Sequence, residues 1–186
     1  MEEPVALSGI VFTTQQEVMR EMVGEDVYER AIASLPPDLA DTARTQIAVG
    51  WVSFDTVSAV VEVVGAEHGE SLERFQRELV GRVARRQFRG VWRMLLRLTS
   101  REALLKRASA LWRRTYSRGE ARFESDGGQE GTLILSDLGY ASDYMLRGVG
   151  YSFEALLEYT GATDVRVRSQ RLGGGHARFE VSWHRR

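Results

Sequence analysis

The stretch DVRVRSQRLGGGHARFEVSW, residues 164–183, limits the possible folds of this chain more than any other. Apolar and charged side chains alternate on both sides of three glycines. Val165 and Val167 fall on one face with Arg166 and Arg168 on the other, and Phe179, Val181 and Trp183 repeat the pattern. Successive side chains of a strand point to opposite faces, so this spacing predicts two half-buried strands. Centring the turn at Gly174 sets Val167 opposite Val181, Val165 opposite Trp183 and Arg168 opposite Glu180. A slip of one residue would send a whole strand's side chains to the wrong face, so the agreement of three pairs specifies a register. The glycines then serve as turn residues. A phosphate cradle needs glycines between a strand and a helix, where free amides and the helix dipole converge; here they lie between two strands.

Upstream, residues 121–136 read as a second hairpin, with ARFES and GTLILS joined by DGGQE. Between the hairpins, YASDYMLRGVGYSFEALLEYTG returns to a helical period, interrupted at Gly148-Val-Gly150 and stopped by Gly161. The first half is helical. Val5 to Phe12 is expected as a strand and Thr14-Gln-Gln-Glu17 as a capping box opening a helix to Val23. EDVYERAIASL is a second helix ending before Pro36-Pro37, and DLADTARTQ a third. SFDTVSAVVEVVGAEHG is a fourth, with Ser53 as N-cap, a stripe of Val57, Val60, Val61 and Val64, and Gly69 as its stop. The longest runs from Ser71 to Leu98 with its arginines between the apolar positions, and another runs from Ser100 to Tyr116. This pattern predicts an α+β fold in which N-terminal and central helices pack on an antiparallel sheet of four strands or slightly more, with a helix connecting two C-terminal hairpins. At 186 residues and 43% hydrophobic, the chain is expected to form a single domain over 1–186.

Charge is segregated along the chain. Residues 1–80 carry 5 Arg against 15 acidic side chains, whereas residues 81–122 carry 12 Arg and one Lys against 2 Glu. The basic block either packs beside the acidic one or faces an anionic partner. Its arginines alternate with an apolar stripe that includes Phe88 and Trp92, so the aromatics read as core and nucleic acid is disfavoured. The chain has no cysteine, which removes disulfides and thiolate chemistry and fits a reducing compartment. No uncharged apolar run approaches the roughly 18–20 residues of a membrane span, and MEEPVALSG lacks the form of an export signal, so a cytoplasmic protein is expected.

Catalytic and metal signatures are weak. His68, His176 and His184 stand apart, with no HExxH, so no metal or cofactor is expected. Gly150-Tyr-Ser152-Phe-Glu154 departs from a nucleophile elbow at its last position, and Glu154 and Glu158 read as helix-surface carboxylates. No enzymatic role is expected.

The C-terminal order of hairpin, helix, GATDVRVRSQR, glycines and RFEVSW resembles the small-ligand-binding fold shared by 4-vinyl reductase domains, haem nitric-oxide-binding proteins and components of the transport protein particle. GIVFTTQQEVMREMVGEDVYERA resembles the N-terminal part of such chains. GRVARRQFRGVWRMLL, with a later LW, resembles an uncharacterised bacterial family of that superfamily. The resemblance implies a sheet flanked by helices, commonly dimeric. It also implies a cysteine where this chain has Ala177, which argues against a zinc-linked sensor. Haem-binding relatives use a proximal histidine and Tyr-x-Ser-x-Arg; this chain has Tyr116-Ser117-Arg118 and no histidine in the corresponding helices.

These readings converge on a non-enzymatic regulatory module, expected to be a homodimer that senses a small apolar ligand. Trp92, Trp112, Tyr116, Tyr144 and Phe153 are the candidate lining. The alternative is an adaptor that meets an acidic protein partner through its Arg-rich segment 82–122, with Arg82, Arg85, Arg86, Arg89 and Arg93 as the contact residues.

Overall fold

The computed structural model describes residues 4–88, 108–125 and 128–185. The chain divides into two compact units, Ala6–Val83 and Met1–Val5 together with Ala84–Arg186. No helix among the described residues is long and apolar enough to cross a membrane.

The first unit is mostly helical. Strand β1 (Ala6–Ser8) pairs antiparallel with β2 (Trp51–Ser53), placing Ser8 opposite Trp51. Around this ribbon lie α1 (Gly9–Val23), α2 (Glu25–Ala33), α3 (Pro37–Thr45), α4 (Phe54–Glu67) and the start of α5 (Leu72–Phe88). The expected strand over Val5 to Phe12 is therefore cut to three residues, and α1 begins five residues before the expected capping box. Thr14 sits inside the helix, its hydroxyl donating to the Ile10 carbonyl at 2.7 Å. The Gly9 amide donates to Gly50 O at 2.8 Å, so contact with a distant segment helps to start the helix just after Ser8. Pro37 opens α3 at the position where a missing N–H costs nothing.

The most regular part of this unit is α4. Ser53 Oγ accepts from the Thr56 amide, and Val57, Val60, Val61 and Val64 are all fully buried. Gly65 lets α5 approach closely, because a Cβ there would lie 3.1 Å from the Phe75 ring. Phe12, Met19, Ile32, Phe75 and Leu79 complete the core. Arg20 ties α1 to α2, with Nε 3.2 Å from Glu25 and the guanidinium 4.1 Å from the centroid of the Tyr28 ring.

The second unit contains α6 (Ala108–Thr115), β3 (Glu120–Glu124), β4 (Glu130–Ser136), α7 (Asp143–Tyr159), β5 (Ala162–Gly173) and β6 (His176–Arg185). The sheet order is β3-β4-β6-β5, antiparallel throughout, so the two hairpins join through β4 and β6 while α7 connects them. This is the α+β arrangement of strands expected from the sequence. Val167 faces Val181 and Arg168 faces Glu180, as the alternation requires. Val165 and Trp183 are offset by an irregularity between Thr163 and Arg166, where Asp164 adopts φ 51°. The turn is Gly174-Gly175, both with positive φ, a geometry that suits a two-residue hairpin and favours glycine. The Leu138 amide donates to Gly175 O at 3.0 Å, which holds the turn against the segment that follows β4.

Leu133, Leu135, Ala177, Phe179, Val181 and Trp183 form the buried face of the sheet. Against it α7 runs unbroken, which corrects the interruption expected at Gly148-Val-Gly150. A Cβ at Gly150 would lie 3.7 Å from Val167 and 3.9 Å from Phe179. Burial of the helix face on the sheet outweighs the roughly 1 kcal/mol that each glycine costs a helix.

Candidate functional site

In the second unit three of the predicted aromatic side chains lie near the end of α6 and the start of α7. Trp112 and Tyr116 are one helical turn apart, and their rings stack with centroids 4.0 Å apart and planes 27° from parallel. Trp112 is buried, and its indole N–H donates to Arg118 O at 3.0 Å, which closes the chain reversal into β3. Gly119 completes that reversal with φ 85°, in the left-handed region. Tyr144, also buried, enters from the first turn of α7, which is capped by Ser142 Oγ accepting from the Met145 amide.

Burial pushes the phenols of Tyr116 and Tyr144 well above their ordinary titration range. Arg147 pulls Tyr144 weakly the other way, and Tyr116 adds to the rise at Tyr144. Both hydroxyls therefore stay protonated at neutral pH. These side chains combine apolar rings with an indole N–H and two phenols.

Phe153 lies elsewhere. Nine residues beyond Tyr144 on the same helix, it is about 13.5 Å further along the axis and about half a turn around it. It stacks with Phe123, centroids 6.3 Å apart, and a Cβ at Gly131 would lie 2.3 Å from the Phe123 ring. Thus Trp112 and Tyr116 form one aromatic contact and Phe153 belongs to another, while Tyr144 is linked to Tyr116 by their electrostatic interaction. Trp92 lies outside the described residues.

Among the arginines of the adaptor reading, Arg82 is held by Glu78 on its own helix, with Nη2 to Oε1 at 2.6 Å. Arg85 and Arg86 are exposed on the same helix. Arg89 and Arg93 lie outside the described residues.

On its solvent face the sheet forms a groove of about 810 Å³. Arg166, Arg168 and Arg178 line it with Glu124, Glu130 and Glu180. The alternation of β5 and β6 predicts their outward direction, but only the pairing of β4 with β6 brings the two hairpins' charges together. Glu180 lies 3.7 Å from Arg178, while Arg166 and Arg168 make no ion pair among the described residues.

Residues 68–184 match a family described as "Protein of unknown function (DUF2378)". No curated protein matches the sequence. Several solved structures share the fold. An H-NOX protein from K. algicida in the Fe(II) unliganded state aligns with a TM-score of 0.69 at 12% identity, covering 96% of this chain and 97% of that one. An H-NOX protein from S. oneidensis in the Fe(II)NO state gives 0.69 at 8% identity, covering 95% and 99%. The H-NOX domain from Shewanella oneidensis in the Fe(II)CO state gives 0.70 at 9% identity, covering 95% and 98%. At these identities the likeness establishes an H-NOX-like fold.

That fold raises the question of haem, and the donors of this chain do not fit one. Residues 89–107 and α6 contain no histidine, cysteine or tyrosine. His68 caps the end of α4, His176 follows the glycine turn and His184 lies 3.7 Å from Asp164 near the end of β6. No group of three metal-binding side chains occurs among the described residues.

Proposed function

The chain belongs to the DUF2378 family, and from that premise we propose that it is a haem-independent sensor, a binding module and not an enzyme, that takes a small apolar molecule beside Trp112, Tyr116 and Tyr144. The observation that carries this reading is the stacked Trp112–Tyr116 pair beside the protonated phenol of Tyr144. The H-NOX-like fold supports only the small-ligand-binding part of this reading, since its relatives are described holding NO and CO in Fe(II) states whose iron the donors of this chain do not fit. The ligand chemistry follows from the three side chains: flat apolar surface for stacking, and hydroxyls for one or two hydrogen bonds to a carbonyl, phenol or ether oxygen. Trp92 is part of the same proposal, as are action as one domain over 1–186, a homodimeric state, a cytoplasmic location and kinship with 4-vinyl reductase domains and transport-particle components.

Native mass spectrometry of the purified protein, alongside its denatured mass and an absorbance scan, tests this. A folded protein with excess mass that disappears on denaturation is expected, and Tyr116→Phe and Tyr144→Phe should stay folded while losing most of that mass. Excess mass kept by both variants would place the ligand elsewhere, and a haem Soret band would overturn the haem-independent reading.

A further inference from the structure

Strand β5 closes one side of the four-stranded sheet, and its outer edge has no strand partner among the described residues. It is 12 residues long, about twice the usual strand length. The opposite edge strand, β3, has 5 residues. Over residues 166–171 the register of β5 with β6 is unbroken, and irregularities flank this stretch between Thr163 and Arg166 and between Arg171 and Gly173. A regular edge of this kind presents a row of backbone N–H and C=O groups with which a further extended chain can pair.

The side chains along this edge restrict what can pair there. Arg166 and Arg168 are exposed on the solvent face, two positions apart and without an ion pair among the described residues. Glu180, across from Arg168 on β6, lies 3.7 Å from Arg178. The other acidic members of the groove, Glu124 and Glu130, belong to β3 and β4, on the far side of β6. Positive charge is therefore concentrated at the rim that β5 forms. On the opposite face Val165 and Val167 are half-buried, which leaves apolar surface at the margin of the core.

An extended segment with acidic residues at alternate positions matches both faces. Its carboxylates recur about every 7 Å on one side, the same repeat that separates the two arginine positions, and the residue between them falls on the side of Val167. Arginine binds a carboxylate through two parallel hydrogen bonds, which adds orientation to charge. Two other occupants match less well. A second copy that pairs β5 with β5 about a twofold axis centred on residue 166, 167 or 168 sets arginine opposite arginine, which destabilises the pairing. A nucleic-acid strand has no peptide groups to extend the ladder, and across the groove it meets Glu124 and Glu130. We propose that the 166–171 edge of β5 binds an extended acidic peptide segment of a partner protein, which adds a strand to the sheet and sets alternate carboxylates on Arg166 and Arg168. The proposal is independent of the small-molecule reading, which native mass spectrometry tests separately.

Fluorescence anisotropy of the full chain with a labelled peptide of alternating glutamate and valine, about seven residues long, tests it. Binding is expected to weaken at least about tenfold in Arg166→Glu/Arg168→Glu and by a smaller factor in Arg166→Gln/Arg168→Gln, each checked for fold by circular dichroism. The charge-reversed variant is expected to bind the corresponding lysine–valine peptide instead. N-methylation of one alternate set of peptide amides should abolish binding and that of the other set should spare it, because an added strand turns only every second N–H toward its neighbour. Binding that survives both methylations, persists in the charge-reversed variant or is matched by a glutamine–valine peptide overturns the proposal. So does the absence of wild-type binding up to about 1 mM peptide. A thymidine oligonucleotide that binds more tightly than the peptide would assign the edge to nucleic acid and overturn it. A wild-type dimer whose β5 amides resist hydrogen exchange without peptide would assign the edge to a second copy, with the same consequence.

Discussion

The core of the first unit and the aromatic junction of the second bury side chains in different ways. Along α4, Val57, Val60, Val61 and Val64 are fully buried together with Phe75, and they offer a neighbour nothing but shape. At the end of α6 and the start of α7, Trp112, Tyr116 and Tyr144 pack rings that carry an indole N–H and two phenols. An aliphatic core gains transfer free energy without a desolvation penalty. A buried hydroxyl must find a partner or cost stability. In the proposed reading these phenols serve recognition, whereas the valines serve packing alone.

The largest test of this contrast is truncation on each side. Phe75→Ala and Trp112→Ala are each expected to cost about 3–5 kcal/mol in urea unfolding, because both remove a large buried ring. Only Trp112→Ala should strip the copurifying mass from the fraction that remains folded. Loss of that mass from Phe75→Ala as well would end the distinction between packing and recognition.

A smaller effect compares two caps of the same kind. Ser53 and Ser142 each accept the amide of the third residue that follows, both at 3.2 Å. Replacing either by Ala is expected to cost about 1 kcal/mol in urea unfolding. Ser142→Ala should also weaken ligand retention, because the turn it caps carries Tyr144, whereas Ser53→Ala should leave retention unchanged.

The smallest effect lies in the pH dependence. The phenols of Tyr116 and Tyr144 titrate above their ordinary value in the folded chain because burial disfavours the phenolate. Their contribution to stability is therefore complete below about pH 10, near the unfolded value, and is lost as pH rises through the folded values. Unfolding midpoints should fall above about pH 10, and the fall should be shallower in Tyr116→Phe. An unchanged slope in that variant would show that Tyr116 is not one of the titrating groups.

Elements with a strong local period were legible in the sequence. The α4 stripe, its Ser53 cap and the pairing of Val167 with Val181 all follow from rules that act within a few residues or across one tight turn. Where a distant contact decides, the local pattern misleads. Thr14-Gln-Gln-Glu17 has the form of a cap, but pairing of β1 with β2 starts the helix earlier. Gly148 and Gly150 have the form of a break, but the sheet beneath α7 holds the helix through them. The candidate site shows the same division. Trp112 and Tyr116 are neighbours by helical spacing, whereas the path of the chain carries Phe153 to a separate contact with Phe123.

By itself the sequence determined the α+β class, the hairpins, most helix limits and the lack of a cysteine. Periodicity, capping and side-chain inventory are properties of short segments, and they survive in any context that buries the apolar face. Tertiary structure decided which aromatics meet, how the two hairpins join through β4 and β6, and that the 47–51 loop keeps its apolar side chains in water. Each of these depends on contacts between residues far apart in the chain, where burial free energy is gained only after the backbone has closed the loop between them.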